Sequence, residues 1–112
     1  FKKQKFHFLE FKNTTMAVDG VAMFPDGVTE RGQKHLKTLM DFVKKGHTSE
    51  IIFVIQREDV EVFSPAKEID PTYAKLLKEA KEKGVIISPI VCTMNENEIK
   101  LDPKRILEVD FS

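Results

Sequence analysis

Glu10-Phe11-Lys12 is the first place along this sequence where residue types and spacing could do chemistry. In an extended chain, residues two apart point the same way and stand roughly 6–7 Å apart. A carboxylate and an ammonium therefore emerge side by side from an otherwise apolar segment. Such a pair can hold a divalent cation on Glu10 while Lys12 steers or activates a water. The triplet is also short and common, and a plain ion pair at a strand end is its more frequent meaning. A second group is Asp26, Thr29 and Arg31, gathered at the entry of a helix where backbone N–H groups draw anions. Arg31 and His35 are four apart and share a face of that helix. Gly32 costs the helix roughly 1 kcal/mol, which points to close approach of another backbone or of a ligand. The same residues also read as a capping turn with solvated charges. The third group is Gln56-Arg57 at the end of an apolar strand, where open α/β sheets tend to bind ligands. Of 18 basic residues only 3 are Arg, and Arg31 and Arg57 both fall in these groups. Arginine is the better phosphate binder because its planar fork makes bidentate contacts.

The elements that must position these groups follow from periodicity and punctuation. Residues 5–12 are apolar on both parities, with Phe6 and Phe8 on one face and Leu9 and Phe11 on the other, which predicts a central strand covered on both sides. Asp19-Gly20 between two short apolar runs predicts a hairpin. Thr29 reads as the N-cap of a helix whose core stripe is Leu36, Leu39, Met40 and Val43, with Gly46 as its stop. Residues 51–55 form a buried strand, and a polar, mostly acidic connection is expected over 58–70. Asp70 caps a second helix, Pro71 occupies its first position, and Tyr73, Leu76, Leu77 and Ala80 face the core up to Gly84. Residues 85–92 make another strand, in which Pro89 marks an edge or a bulge, and the tail adds one or two short pairing segments. Strand, helix and strand at the end make a βαβ unit. The expected class is α/β, with a mixed central sheet and flanking helices.

Composition bounds what such a domain can do. With 112 residues, 41% apolar and 32% charged, the chain builds one core and stays soluble. Its apolar runs are far too short for a membrane span, so no membrane partner is expected. Eighteen basic residues balance eighteen acidic ones, so no global field recruits nucleic acid. Locally, four lysines against Glu10 in residues 1–12, and five basic against two acidic groups in residues 30–47, leave modest basic surfaces. One cysteine, Cys92, forms no internal disulfide, and a reducing, cytoplasmic setting is the natural expectation. The three histidines lack metal-ligand spacing. The chain opens at Phe1 and enters its core by Phe6, so a preceding segment is expected.

Taken together, Leu9-Glu10-Phe11-Lys12-Asn13, Gly20, Phe24-Pro25-Asp26, Thr29-Glu30-Arg31-Gly32, His35-Leu36 and Val54-Ile55-Gln56-Arg57 resemble the sugar fermentation stimulation protein family. Ile69-Asp70-Pro71, Tyr73-Ala74 and Gly84-Val85 fit the same pattern, so the resemblance runs over residues 8–91. It implies an OB-like domain followed by a domain similar to PD-(D/E)xK nucleases. Residues 1–112 match the second, a single nuclease-like α/β domain, with the OB-like domain outside it. In that superfamily the E-x-K pair sits on a sheet strand and works with an upstream Asp to bind magnesium. Glu10 and Lys12 match the pair, while the family's S-R-x-D-F segment would precede Phe1. Asp26 matches the family block and is the candidate second carboxylate, and Gly27 stands where the family often has Ala. The resemblance thus implies Glu10 and Lys12 as catalytic residues, Glu10 and Asp26 as Mg2+ ligands, and DNA as partner. Thr29, Arg31, His35, Gln56 and Arg57 are the residues expected to meet nucleic acid. Three readings stay open: a magnesium-dependent nuclease-like domain, a non-catalytic DNA-binding or regulatory module that only keeps the fold, and a structural domain. The oligomeric state is left open too.

Overall fold

The computed structural model describes residues 4–94 and 99–112, so Lys2 and Lys3 of the N-terminal basic group lie outside the described residues. In chain order the elements are β1 (His7–Thr14), β2 (Met16–Val18), β3 (Val21–Phe24), α1 (Glu30–Lys44), β4 (Thr48–Ile55), β5 (Val62–Pro65), α2 (Pro71–Glu82), β6 (Ile86–Met94), β7 (Ile99–Ile106) and β8 (Glu108–Val109). They form two four-stranded sheets, ordered β1-β4-β6-β7 and β2-β3-β5-β8. The class is the mixed α/β one expected, but the strands divide between two mixed sheets instead of sharing one central sheet. Asp19 and Gly20, with φ of 50° and 80°, take the positive values a tight hairpin turn needs, and β2 and β3 pair across them. The free edge of β3 then takes β5 in parallel, Val21 against Val62 through Phe24 against Pro65. β5 lies inside the stretch expected to be a polar connection. Val60 and Phe63 are buried there, but two or three apolar residues among acids are too few to show a strand period.

In the first sheet β4 runs parallel to β1 and to β6, which gives the expected βαβ unit through α2. Ile51, Phe53 and Ile55 occupy one face of β4 and are fully buried. Phe53 stacks on Phe63 at 4.4 Å and meets Phe24 at 5.4 Å, so the second sheet closes over this face. Leu36, Leu39 and Met40 of α1 and Tyr73, Leu77 and Ala80 of α2 complete the same core. Burying a side chain of this size contributes about 1.5–3 kcal/mol, so this one face carries most of the stabilisation.

The expectation that the first strand is central does not hold. β1 stands at the edge of its sheet, paired with β4 alone among the described residues. Its two apolar faces have different reasons. Phe8 points inward and stacks on Phe42 of α1 at 3.7 Å, whereas Leu9 and Phe11 remain 48% and 56% exposed on the outer face. Pro89 is not on an edge strand, since β6 lies between β4 and β7; it sits next to a register shift between Ile90 and Cys92, which is the bulge alternative. The tail supplies β7 and then crosses to the second sheet as β8. No described helix is long and apolar enough to cross a membrane.

Candidate functional site

Alternation along β1 puts Phe8, Glu10, Lys12 and Thr14 on the face turned toward α1. Lys12 Nζ lies 3.2 Å from Glu10 Oε1. His35, on α1, brings Nδ1 to 3.1 Å from that same oxygen and to 3.0 Å from Lys12 Nζ. One histidine nitrogen thus faces both a carboxylate and an ammonium. Protonated, it donates to Glu10 and meets the ammonium head-on; bare, it accepts from Lys12 and sets its lone pair against the carboxylate. Each arrangement satisfies one neighbour at the expense of the other, so the three groups form a tight set with alternative pairings. Their side chains are 16–30% exposed, half-buried and still open to a ligand. The sequence placed His35 with the nucleic-acid contacts; its position joins it to Glu10 and Lys12.

Tyr73 lies beneath this cluster. It is fully buried, and its hydroxyl has no hydrogen-bond partner among the described residues. Burial pushes the pKa of the phenol far above its ordinary value, with the negative charges of Glu10 and Asp70 adding to the effect. The ring packs edge-on to Phe24 at 5.4 Å and lies on the first turn of α1 at Gly32. A Cβ at Gly32 would stand 3.1 Å from Tyr73 Cε2 and 2.8 Å from Thr29 Cγ2. The close approach expected at Gly32 is therefore to a side chain, Tyr73. Sequence reasoning counted Tyr73 only as a core residue; a buried position that takes Tyr where Phe would pack was the signal available.

Asp70 joins the two helices. One oxygen accepts from the Tyr73 N–H at 2.9 Å, the other from the Thr29 N–H at 3.0 Å, and the Gln33 amide donates to both at 3.1 Å. Burial alone would raise the pKa of this carboxyl, but the N–H groups of Thr29 and Tyr73, the Gln33 amide and the Thr72 N–H together hold it below the usual carboxylate range. Thr29 has its own oxygen committed as well, since Oγ1 accepts from the Gly32 N–H at 3.0 Å. Its polar groups close the helix start and leave little for a ligand.

The other expected site residues are dispersed. Asp26 is exposed in the turn before α1 and lines a small cavity of about 20 Å³ with Asn13, Thr14 and Phe24, at the far end of β1. The partners of Glu10 are Lys12 and His35, and no bond joins it to Asp26. Among the described residues, no three His, Cys, Asp or Glu side chains stand together as a metal-holding group. Arg31 is exposed on the first turn of α1 without an ion-pair partner among the described residues. Arg57, in contrast, has its fork filled by Asp59 at 2.9 and 2.6 Å. That contact raises the guanidinium pKa and lowers that of Asp59. The Gln56 amide donates to Asn13 Oδ1 at 3.1 Å, and Asn13 points to the face of β1 opposite Glu10 and Lys12.

Comparison with known proteins agrees with this architecture. Residues 1–98 match the family model described as the sugar fermentation stimulation protein RE domain. A sugar fermentation stimulation protein homolog of Bdellovibrio bacteriovorus is 54% identical over 97 residues, 87% of this chain and 40% of that protein. One from Citrifermentans bemidjiense is 44% identical over 95 residues, 85% of this chain and 41% of that protein. The chain thus spans about two fifths of the length of these curated relatives. Pyrococcus furiosus SfsA, solved in complex with Ca2+, is 35% identical and superposes with a TM-score of 0.84 over 93% of this chain and 45% of its own. With its nuclease-like α/β fold and a family match over nearly its whole length, this chain belongs to the sugar fermentation stimulation protein family.

Proposed function

We propose that this chain is the nuclease-like, DNA-binding part of its family's protein, acting on phosphodiesters with a divalent cation. The observation that carries the reading is the convergence of Glu10, Lys12 and His35 within 3.0–3.2 Å on a half-buried face where strand meets helix. A carboxylate oxygen is a hard donor that suits magnesium or calcium, and Glu10 is the residue proposed to hold the ion, since Asp26 stands apart from it at the far end of β1. The description of the Pyrococcus protein as a Ca2+ complex supports a cation of this class. When bound, magnesium supplies the positive charge that offsets phosphate repulsion and lowers the pKa of bound water. The Lys12 ammonium is placed to orient a water and to stabilise negative charge as it develops. His35 holds Glu10 from the helix side, so strand and helix both define the carboxylate's direction. Arg31, exposed and without an ion-pair partner among the described residues, is the proposed phosphate contact, and DNA binding is expected to be weak and salt-sensitive because the chain has zero net charge.

The test is cleavage of duplex and single-stranded DNA with magnesium or manganese, by this chain and by the longer protein. Glu10→Gln and Lys12→Ala should each abolish cleavage while urea unfolding moves by less than about 1 kcal/mol. Undiminished cleavage by Glu10→Gln would sink the mechanism. A second reading, a binding module without chemistry, is favoured by one detail: the Lys12 ammonium already stands 3.2 Å from the oxygen a cation would use. DNA binding that survives Glu10→Gln, together with no cleavage under any divalent ion, would select it.

A further inference from the structure

Tyr73 Oη is a buried side-chain polar atom for which packing offers no reason. The ring is held by Phe24 and by the Cβ-free surface of Gly32, and a phenylalanine would fill the same space. An unmet buried hydroxyl costs about 1–3 kcal/mol, so a phenol kept there without a partner is a loss to folding unless something meets it. The ring rests on the start of α1, the helix that also carries His35. Gly32 and His35 are three apart on α1 and share a face. Tyr73 rests on the first of them and Glu10 bonds the second. The charge of Glu10 acts on the phenol, and the phenol stays protonated throughout the neutral range, a constant O–H donor.

We propose that Tyr73 is a positioning residue for Glu10, its hydroxyl donating through one ordered water to the Glu10 carboxylate and fixing the orientation in which that carboxylate faces Lys12 and His35. A water so placed has two protein partners in Tyr73 Oη and Glu10, enough to hold it. The proposal rests on Glu10 being the working carboxylate of the site, and on neither a metal nor cleavage. It also gives a purpose to Gly32, where an added side chain would press on the ring.

The chain carries one tyrosine and no tryptophan, so its tyrosine emission reports Tyr73 alone. Emission of the wild-type chain is compared with that of Glu10→Gln and of Asp41→Asn, the latter altering a remote exposed ion pair with Lys45. The expected result is a changed intensity in Glu10→Gln and an unchanged one in Asp41→Asn. The second arm is Tyr73→Phe. Its melting temperature should equal or exceed that of the wild type, and its Ca2+ affinity by calorimetry should fall about tenfold, the usual size for loss of an outer-shell partner. Emission of Glu10→Gln that superimposes on the wild type overturns the proposal, as does a Tyr73→Phe chain that melts lower yet binds Ca2+ as the wild type does. If Ca2+ fails to bind the wild-type chain, the metal reading falls, and the emission comparison alone still decides the role of Tyr73.

Discussion

Asp70 and Glu10 both act on Tyr73, and the two carboxylates are held in opposite ways. Asp70 is 1% exposed and receives backbone N–H groups from the starts of two helices, donors that neither titrate nor rotate away. Glu10 is 30% exposed in its side chain and is held by an ammonium and an imidazole, both carried on side chains with rotatable bonds. A carboxylate whose acceptor sites are filled by fixed donors is part of the scaffold. One held only by side chains, at a half-buried surface, can exchange them for a cation or a water. Depth of burial alone would have pointed to Asp70 as the functional group; the kind of partner points to Glu10.

The sharpest way to break this contrast is to remove Asp70. Asp70→Ala leaves the N–H groups of Thr29 and Tyr73 and the Gln33 amide without their acceptor and uncaps α2. Hydrogen bonds to a charged group contribute about 1.5–3 kcal/mol each when measured singly and do not add, so an overall loss of about 3 kcal/mol in urea unfolding is expected. A loss under 1 kcal/mol would mean the two helix starts do not depend on their shared carboxylate. The pH dependence has a definite sign. The folded pKa of Asp70 is held below its unfolded value, so its stabilisation is fully present above the ordinary carboxylate range. It is lost as pH falls through the depressed folded value. Asp70→Asn should therefore show a shallower acid limb than the wild type.

Gly32→Ala comes next, because Gly32 sits between the two regions. The added methyl meets Thr29 Cγ2 at 2.8 Å and Tyr73 Cε2 at 3.1 Å, and neither is the loose end of a flexible chain. Overpacking of this kind typically costs 1–3 kcal/mol, so about 2 kcal/mol is expected, against the usual gain from Gly to Ala in a helix. Stability equal to or above that of the wild type would show that cap and ring yield easily. Glu10→Gln should move stability by less than about 1 kcal/mol, since half-exposed ion pairs contribute little. Equal losses at Glu10 and Asp70 would erase the distinction between them.

How much of this was legible in the sequence depended on distance along the chain. Thr29, Asp70-Pro71 and Asp19-Gly20 act on residues within three or four positions of themselves, and their roles as caps and turn could be read directly. Asp70 also bonds Thr29, 41 positions away, and nothing near either residue announces that link. The same holds for β5, whose partner β3 is recruited across α1 and β4, and for the meeting of His35 with Glu10. Glu10 and Lys12 on one face followed from strand alternation alone. The edge position of β1 did not, because a strand apolar on both parities looks the same whether its outer face is covered or left to solvent.

The smallest effect carries the contrast over to the cations. Arg57 resembles Asp70 in having its bonding groups filled, here by the two oxygens of Asp59, whereas Arg31 is exposed and unpaired among the described residues. A phosphate reaching Arg57 must first displace a bidentate carboxylate, while one reaching Arg31 displaces only water and counterions. Charge reversal at Arg31 should therefore weaken DNA binding and lower the log–log salt slope by about 1. Reversal at Arg57 should change both by clearly less, and removing Asp59 through Asp59→Ala should bring Arg57 into play and strengthen binding slightly. Fluorescence anisotropy across a salt series measures all three. Equal slopes for the Arg31 and Arg57 reversals would show that the Asp59 pair opens freely in solution, and that a filled fork is no guide to which arginine meets the phosphate.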